Sequence, residues 1–243
     1  MTPRATRWLI GLAAVTSVLL TTRLGLWQLG RAAQKIALQT AIEQRASLPP
    51  LAPLELARDK ATAAAQHYRR IPLTGRWLAQ HTIYLDNRQM DGRPGFYVVT
   101  PLLLAPGDAV LVQRGWVPRD AQDRARLVAV DTPAGELALT GRVAPPPSAL
   151  LSLGPEGQGI IRQNLDLDAL ARDIGVALRP LSVQQLDDGP STPTQVLRRG
   201  WPLPAVDVGK HHGYAFQWFA LSALIAGLYV WFQLIRPRRL APR

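Results

Sequence analysis

Apolar residues are massed at the two ends of the chain, and between them they alternate in short runs. Residues 213–235, GYAFQWFALSALIAGLYVWFQLI, carry no charge. At about 1.5 Å per residue they reach roughly 34 Å, enough to cross about 30 Å of hydrocarbon. Trp218 and Trp231, near the two ends of this run, suit interfacial aromatic belts. Residues 8–29 are less uniform, because WLIGLAAVTSVLLTT is followed by Arg23 before LGLWQLG resumes the apolar pattern. The long stem of Arg23 allows its charge to rise towards headgroups. A cleaved signal peptide is the competing reading. The lack of an A-x-A site after Arg23, and the apolar run beyond it, favour an uncleaved anchor.

Between the spans, residues 31–47 keep helical spacing until SLPPLAP (47–53) breaks it. An Ala-rich helix is expected around 54–65. Strand patterns follow at 70–77, 81–87, 95–104, 109–117, 136–144, 159–164 and 181–186, with a short helix at 164–175. Gly-Arg-Pro-Gly (92–95) and Ala-Pro-Gly-Asp (105–108) read as turns, and 144–148 and 189–195 as loops. The pattern predicts an α+β membrane protein. Two transmembrane helices, N- and C-terminal, bracket a mostly antiparallel, β-rich extracytoplasmic domain or partial barrel with a few short helices. The expected boundaries are 1–7, an N-terminal cytoplasmic stretch; 8–29, the first span; 30–212, the external domain; 213–235, the second span; and 236–243, a basic cytoplasmic tail.

Charge sharpens the orientation. The net charge is +11. Most of it comes from Arg4, Arg7, Arg23, Arg236, Arg238, Arg239 and Arg243, which lie in or flank the spans, whereas every acidic residue lies between them. Cationic flanks mark the cytoplasmic side, so both termini are expected there. The basic excess therefore reads as membrane flanking in contact with lipid, and nucleic acid is not an expected partner. The chain has no cysteine, which excludes disulfides, thiolate metal sites and covalent c-type haem attachment. With only seven residues before the first span, a bacterial plasma membrane is the expected location.

A hairpin of two spans brings LGLWQLGRAAQK (24–35) and HHGYAFQW (211–218) to one membrane surface. Trp27, Gln28 and Arg31 are thus expected beside His211 and Tyr214. Arg23, Trp27, Arg31 and Lys35 recur every four residues and share one helix face. That stripe reads either as headgroup binding or as a cationic seat for the carboxylates of an amphipathic ligand. His211 and His212 read either as an interfacial pair at a helix start or as a source of a metal or haem ligand. A copper site is not expected, since His67 and His81 lie elsewhere and Met1 and Met90 are the only thioethers. Asp86, Arg88, Asp91, Arg93 and Arg114 form a possible acid–base set, although such residues more often tie loops together. There is no G-x-S-x-G elbow, H-E-x-x-H site or phosphate-cradling loop, and the chain reads as a non-enzyme.

The motifs LGLWQLGRAAQK, TGRW (74–77), GRPGFYVVTPL (92–102), VLVQRGWVP (110–118) and HHGYAFQWFALSA (211–223), in this order between terminal spans, resemble the surfeit locus 1 family. The resemblance covers about residues 24–235. It implies an assembly factor for haem–copper cytochrome c oxidase that binds haem a, receives it from haem A synthase and assists its insertion into subunit I. The family's H-x-x-Y-A arrangement matches His211-His212-Gly213-Tyr214-Ala215, which puts His211 in the position of the axial iron ligand. His212 is an additional histidine. If His211 holds a haem, Arg31 or Lys35 is the expected partner for its propionates, and Trp27, Tyr214 and Trp218 are the expected packing groups for the macrocycle. A scaffold that stabilises nascent subunit I without binding haem is the alternative.

Overall fold

The computed structural model describes residues 3–123, 126–151, 159–186, 197–201 and 208–236. The loop expected at 189–195 and nearly all of the 236–243 tail lie outside these residues. The chain divides into two units, one made of the terminal segments Met1–Ala41 and Pro204–Arg243, the other of Ile42–Leu203.

In the terminal unit the first helix, α1, begins at Pro3 and continues as far as Ser47, with no proline between residues 4 and 48 to interrupt it. The last helix, α4, spans Val208–Tyr229 and widens into π-helical turns over Val230–Ile235. Both are long and apolar enough to cross a bilayer, as a two-pass membrane protein requires. They run antiparallel. Gln28 meets His211, Thr22 Oγ1 lies 3.0 Å from Ser222 Oγ, and Gly11 lies against Tyr229. The contact points Gly11, Val18 and Gly25 recur every seven residues on α1, as do Ala215, Ser222 and Tyr229 on α4. This spacing keeps one narrow seam facing the partner helix, and small residues in it let the backbones approach. Thr21 returns its hydroxyl to the Ser17 carbonyl at 2.8 Å, so that hydroxyl is not stranded among apolar neighbours.

The other unit is a mixed sheet in which antiparallel pairings predominate. Its strands are β1 (Arg70–Trp77), β2 (Ile83–Met90), β3 (Arg93–Ala105), β4 (Asp108–Pro118), β5 (Glu136–Ala144), β6 (Ile161–Arg162) and β7 (Ala177–Gln185). Their order is β1-β5-β7-β4-β3-β2-β6, and β1 also pairs with β3 through Arg76↔Leu103 and Trp77↔Leu102. That extra pairing closes a five-stranded barrel, β1-β5-β7-β4-β3, with β2 and β6 continuing outward from β3. Gly75 makes the closure possible: a Cβ there would sit 2.5 Å from the Leu103 carbonyl oxygen. Two pairings, β4–β7 and β2–β6, are parallel.

Alternation explains how the barrel fills. Ile71, Leu73, Leu102, Val110, Val112, Leu139, Val143, Leu181 and Val183, drawn from all five barrel strands, form one core with Leu51, Leu56 and Ala63. A second cluster covers the opposite face, where Leu170 of helix α3 (Leu167–Ile174) packs on Ile83, Leu85, Val99 and Leu111. Strand β4 is buried on both faces over nine consecutive residues because each side has its own cover.

Several boundaries move from their expected places, each for a local reason. The Ala-rich helix begins later, as α2 (Lys60–Gln66), because the Asp59 carboxylate caps it by accepting from the Ala61 and Thr62 amides. The turn expected at 92–95 is at Asp91-Gly92, both at positive φ, and β3 starts directly at Arg93. Met90↔Arg93 pairing makes this a two-residue hairpin, for which Asp-Gly is a preferred sequence. A 3₁₀ turn at Ala79–His81 delays β2 to Ile83. The expected strand at 159–164 shortens to Ile161–Arg162.

His67, just after α2, is half-buried. Burial first, and the charge of Arg45 second, hold its imidazole below the ordinary 6.5. The folded form therefore binds this proton more weakly than the unfolded chain. Its contribution to stability is fully present above pH 6.5 and is lost as pH falls through the depressed folded value. The Tm of the protein is expected to fall on acidification from about pH 7 to 5, and His67→Asn to flatten part of that slope. Equal slopes in the two proteins would contradict this account.

Candidate functional site

One end of the helix pair collects the residues singled out in the sequence. Because α4 starts at Val208, His211 and Tyr214 both lie within its first two turns and share a face at i, i+3. His211 is half-buried, while His212, rotated by about 100° on the helix, is exposed. His211 Nδ1 lies 2.8 Å from Gln28 Oε1, a hydrogen bond between residues 183 positions apart in sequence. An amide oxygen only accepts, so this contact is a hydrogen bond in the tautomer that carries the proton on Nδ1, the form whose Nε2 lone pair is free for a ligand.

On the adjoining stripe of α1, the Arg31 guanidinium lies 5.6 Å from the centroid of the Trp27 ring and donates to Gln34 Oε1 at 3.4 Å. Trp27 is 52 % exposed and Tyr214 51 % exposed. Lys35 stands two turns beyond Gln28 on nearly the same face and is half-buried. The structure thus joins His211 to Gln28 and Arg31 to Trp27, and leaves Tyr214 open one turn along from His211.

Among the described residues, no three His, Asp or Glu side chains cluster to grip a bare metal ion. A single imidazole with one nitrogen held and the other open has a different use. It suits a metal whose remaining positions are filled by another ligand, such as the iron of a porphyrin. Exposed aromatic surface beside it, and the cations of Arg31 and Lys35, complement an apolar macrocycle that bears carboxylates. The residues present fit a haem.

The proposed acid–base set does not assemble. Arg88 turns inward, donating to the Gln163 carbonyl at 3.1 Å and to Ser148 Oγ at 3.4 Å. Arg114 lies 4.8 Å from the Trp77 ring centroid and donates to the Asp131 carbonyl and Thr132 Oγ1. Burial, with neighbouring Arg199 adding to it, lowers the Arg114 guanidinium to about 10, still charged at neutral pH. Asp86 pairs with Arg119 at 3.7 Å, and Asp91 makes the hairpin turn. These side chains secure loops.

Two features of the helix pair escaped sequence reading. The Thr22–Ser222 contact and the fit of Gly25 against Phe219 depend on which faces meet. The seven-residue recurrence of Gly11, Val18 and Gly25 was the available signal.

The model of the SURF1 family matches residues 15–223. "Surfeit locus protein 1" of Arabidopsis thaliana is 33% identical over 118 residues, covering 44% of this chain and 33% of that protein. "Cytochrome oxidase assembly protein SHY1" of Saccharomyces cerevisiae is 30% identical over 98 residues, 40% of this chain and 25% of that protein. These two matches therefore span only a third and a quarter of the relatives' lengths. A "SURF1-like protein" of Rickettsia bellii is 24% identical over 224 residues, 90% of this chain and 88% of that protein.

Proposed function

Because this chain belongs to the SURF1 family, we propose that it is a non-catalytic assembly factor for haem–copper cytochrome c oxidase. In this reading it binds haem a at the outer leaflet of a bacterial plasma membrane and assists its insertion into subunit I. The yeast relative, named as a cytochrome oxidase assembly protein, supports the assembly role. The observation that carries the haem reading is the hydrogen bond from His211 Nδ1 to Gln28, which leaves one imidazole nitrogen available at the end of an apolar helix pair.

The roles of the chain's residues follow from their chemistry. His211 would hold the iron through Nε2. Arg31 and Lys35 would neutralise propionates. Trp27 and Tyr214 would offer ring surface, and Gln28 would hold the imidazole. Bound haem a would supply the redox-active iron that the oxidase requires. Both termini are cytoplasmic in this reading, with Arg7 and Arg236 at the inner surface, and the barrel domain is extracytoplasmic. A site at the outer leaflet lets an insoluble cofactor move laterally from haem A synthase to subunit I without crossing water.

The test is the absorption spectrum of the full-length protein purified from cells that make haem A. A haem a spectrum is expected for the unaltered protein and for His212→Ala, and is expected to be lost in His211→Ala. A colourless protein that still co-purifies with subunit I would defeat the carrier reading and leave a scaffold.

A further inference from the structure

We propose that Gln28 is the positioning residue for His211: it fixes the imidazole plane and holds the proton on Nδ1, so that Nε2 is the nitrogen presented to iron. This deepens the haem reading and rests on it. The geometry behind it is direct. The Nδ1–Oε1 distance is 2.8 Å, and both side chains are half-buried. Gln28 lies one turn beyond Gly25, whose lack of a side chain lets α1 fit closely against Phe219 of α4. The amide is thus carried on a packed helix rather than on a loop, and two packed helices hold an angle better than a loop does.

The consequence concerns the tautomer. Histidine in water favours the proton on Nε2, the nitrogen that must be bare to bind iron. An acceptor at Nδ1 reverses that preference before any ligand arrives. It also makes the imidazole a stronger donor, because the Nδ1–H bond to oxygen raises electron density in the ring. His212 is exposed one residue further along, rotated away from α1. The hydrogen bond therefore distinguishes two adjacent histidines that composition alone leaves equivalent.

Two measurements on the full-length protein in detergent test this separately from the haem reading. The first uses ¹⁵N-histidine labelling without haem. It should find His211 protonated at Nδ1 in the unaltered protein, and this preference should be lost in Gln28→Leu. The second titrates haem a into the same proteins. Gln28→Leu should weaken binding by about 10- to 100-fold, the usual range for loss of an outer partner of a metal-bound histidine. Gln28→Glu keeps an acceptor, so it should still bind, with the reduction potential of the bound iron shifted downward by the anionic partner. Far-UV circular dichroism of each variant separates loss of the helix pair from loss of the bond.

Loss of affinity in Gln28→Leu with intact helicity, together with retention in Gln28→Glu, supports the assignment. Gln28→Leu that binds haem a with unchanged affinity and spectrum overturns it. A proton found on Nε2 of His211 in the unaltered protein also overturns it. If the unaltered protein takes up no haem a while Nδ1 is protonated, the haem reading is what fails, and the iron-directed role of Gln28 falls with it.

Discussion

Gly25→Leu is expected to separate the two terminal helices and, with them, the Gln28–His211 hydrogen bond. A Cβ at residue 25 would lie 2.7 Å from Cε1 of the Phe219 ring, too close for any real contact. Alanine would force that ring to turn, at about 1 kcal/mol, whereas leucine adds three more carbons at the same contact and should cost about 3 kcal/mol. The seam has little to spare. Its interhelical hydrogen bonds, such as Thr22–Ser222, contribute only about 1 kcal/mol each among apolar surroundings. The absence of native cysteine makes the measurement clean. Spin labels at Leu20→Cys and Leu224→Cys, both exposed positions, should give one narrow distance in the parent and a broad distribution with Gly25→Leu. Phe219→Ala in the same chain should recover much of the narrow component. A distribution that stays narrow with Gly25→Leu would mean that the seam is not where the helices meet.

Asp108→Ala is expected to destabilise the barrel domain by about 3–5 kcal/mol. The Asp108 carboxylate accepts from Arg179 Nε at 2.7 Å and Nη2 at 2.6 Å, while Arg179 Nη1 donates to the Leu56 carbonyl. The Arg179 side chain is only 6% exposed. Removing the acid leaves a buried guanidinium with its charge uncompensated, and the desolvation cost already incurred on folding is no longer offset. For a domain of this size each kcal/mol lowers Tm by about 2–4 °C, so a fall of about 10 °C is expected by calorimetry of the full-length protein. Arg58→Ala is the control. Arg58 also reaches Asp108, at 3.4 Å, but its side chain is 75% exposed, so its loss should leave Tm nearly unchanged. Equal effects from the two substitutions would show that the buried bidentate pair has no special weight.

The Asp108–Arg179 pair also marks where reading the sequence stopped. Asp108 closes the Ala-Pro-Gly-Asp turn, whereas Arg179 precedes the strand expected at 181–186 and joins β7 because that strand starts at Ala177. Nothing local couples them across 71 positions. The coupling comes from the parallel pairing Asp108↔Ala177 and Ala109↔Leu178, which brings β7 beside β4 although β5 and α3 intervene in the chain. Short spacings between strands point to antiparallel neighbours, as β2–β3 and β3–β4 are. A parallel partner arrives over a long connection and leaves no short-range mark.

The candidate site divides along the same line. The stripe of Trp27 and Arg31 was legible because four-residue spacing defines a helix face, and the pair does stack. That Gln28 and His211 stand at the same end of the helix pair followed from counting two spans, whereas the faces that meet there did not. The acid–base set at 86–114 looked dense in sequence because strand residues of opposite faces are interleaved. In the fold Arg88 and Arg114 point to separate loops.

The sequence by itself determined the two apolar helices, the approximate position of every strand and the histidine-bearing end of the second helix. These depend on the 3.6- and 2-residue periods, which are written in a few consecutive residues. Tertiary structure alone decided that the sheet closes at Gly75, that β7 lies parallel to β4, and that His211 rather than His212 meets Gln28. Those outcomes turn on which distant surface fills a given space or accepts a given proton, and only packing of the whole chain selects it.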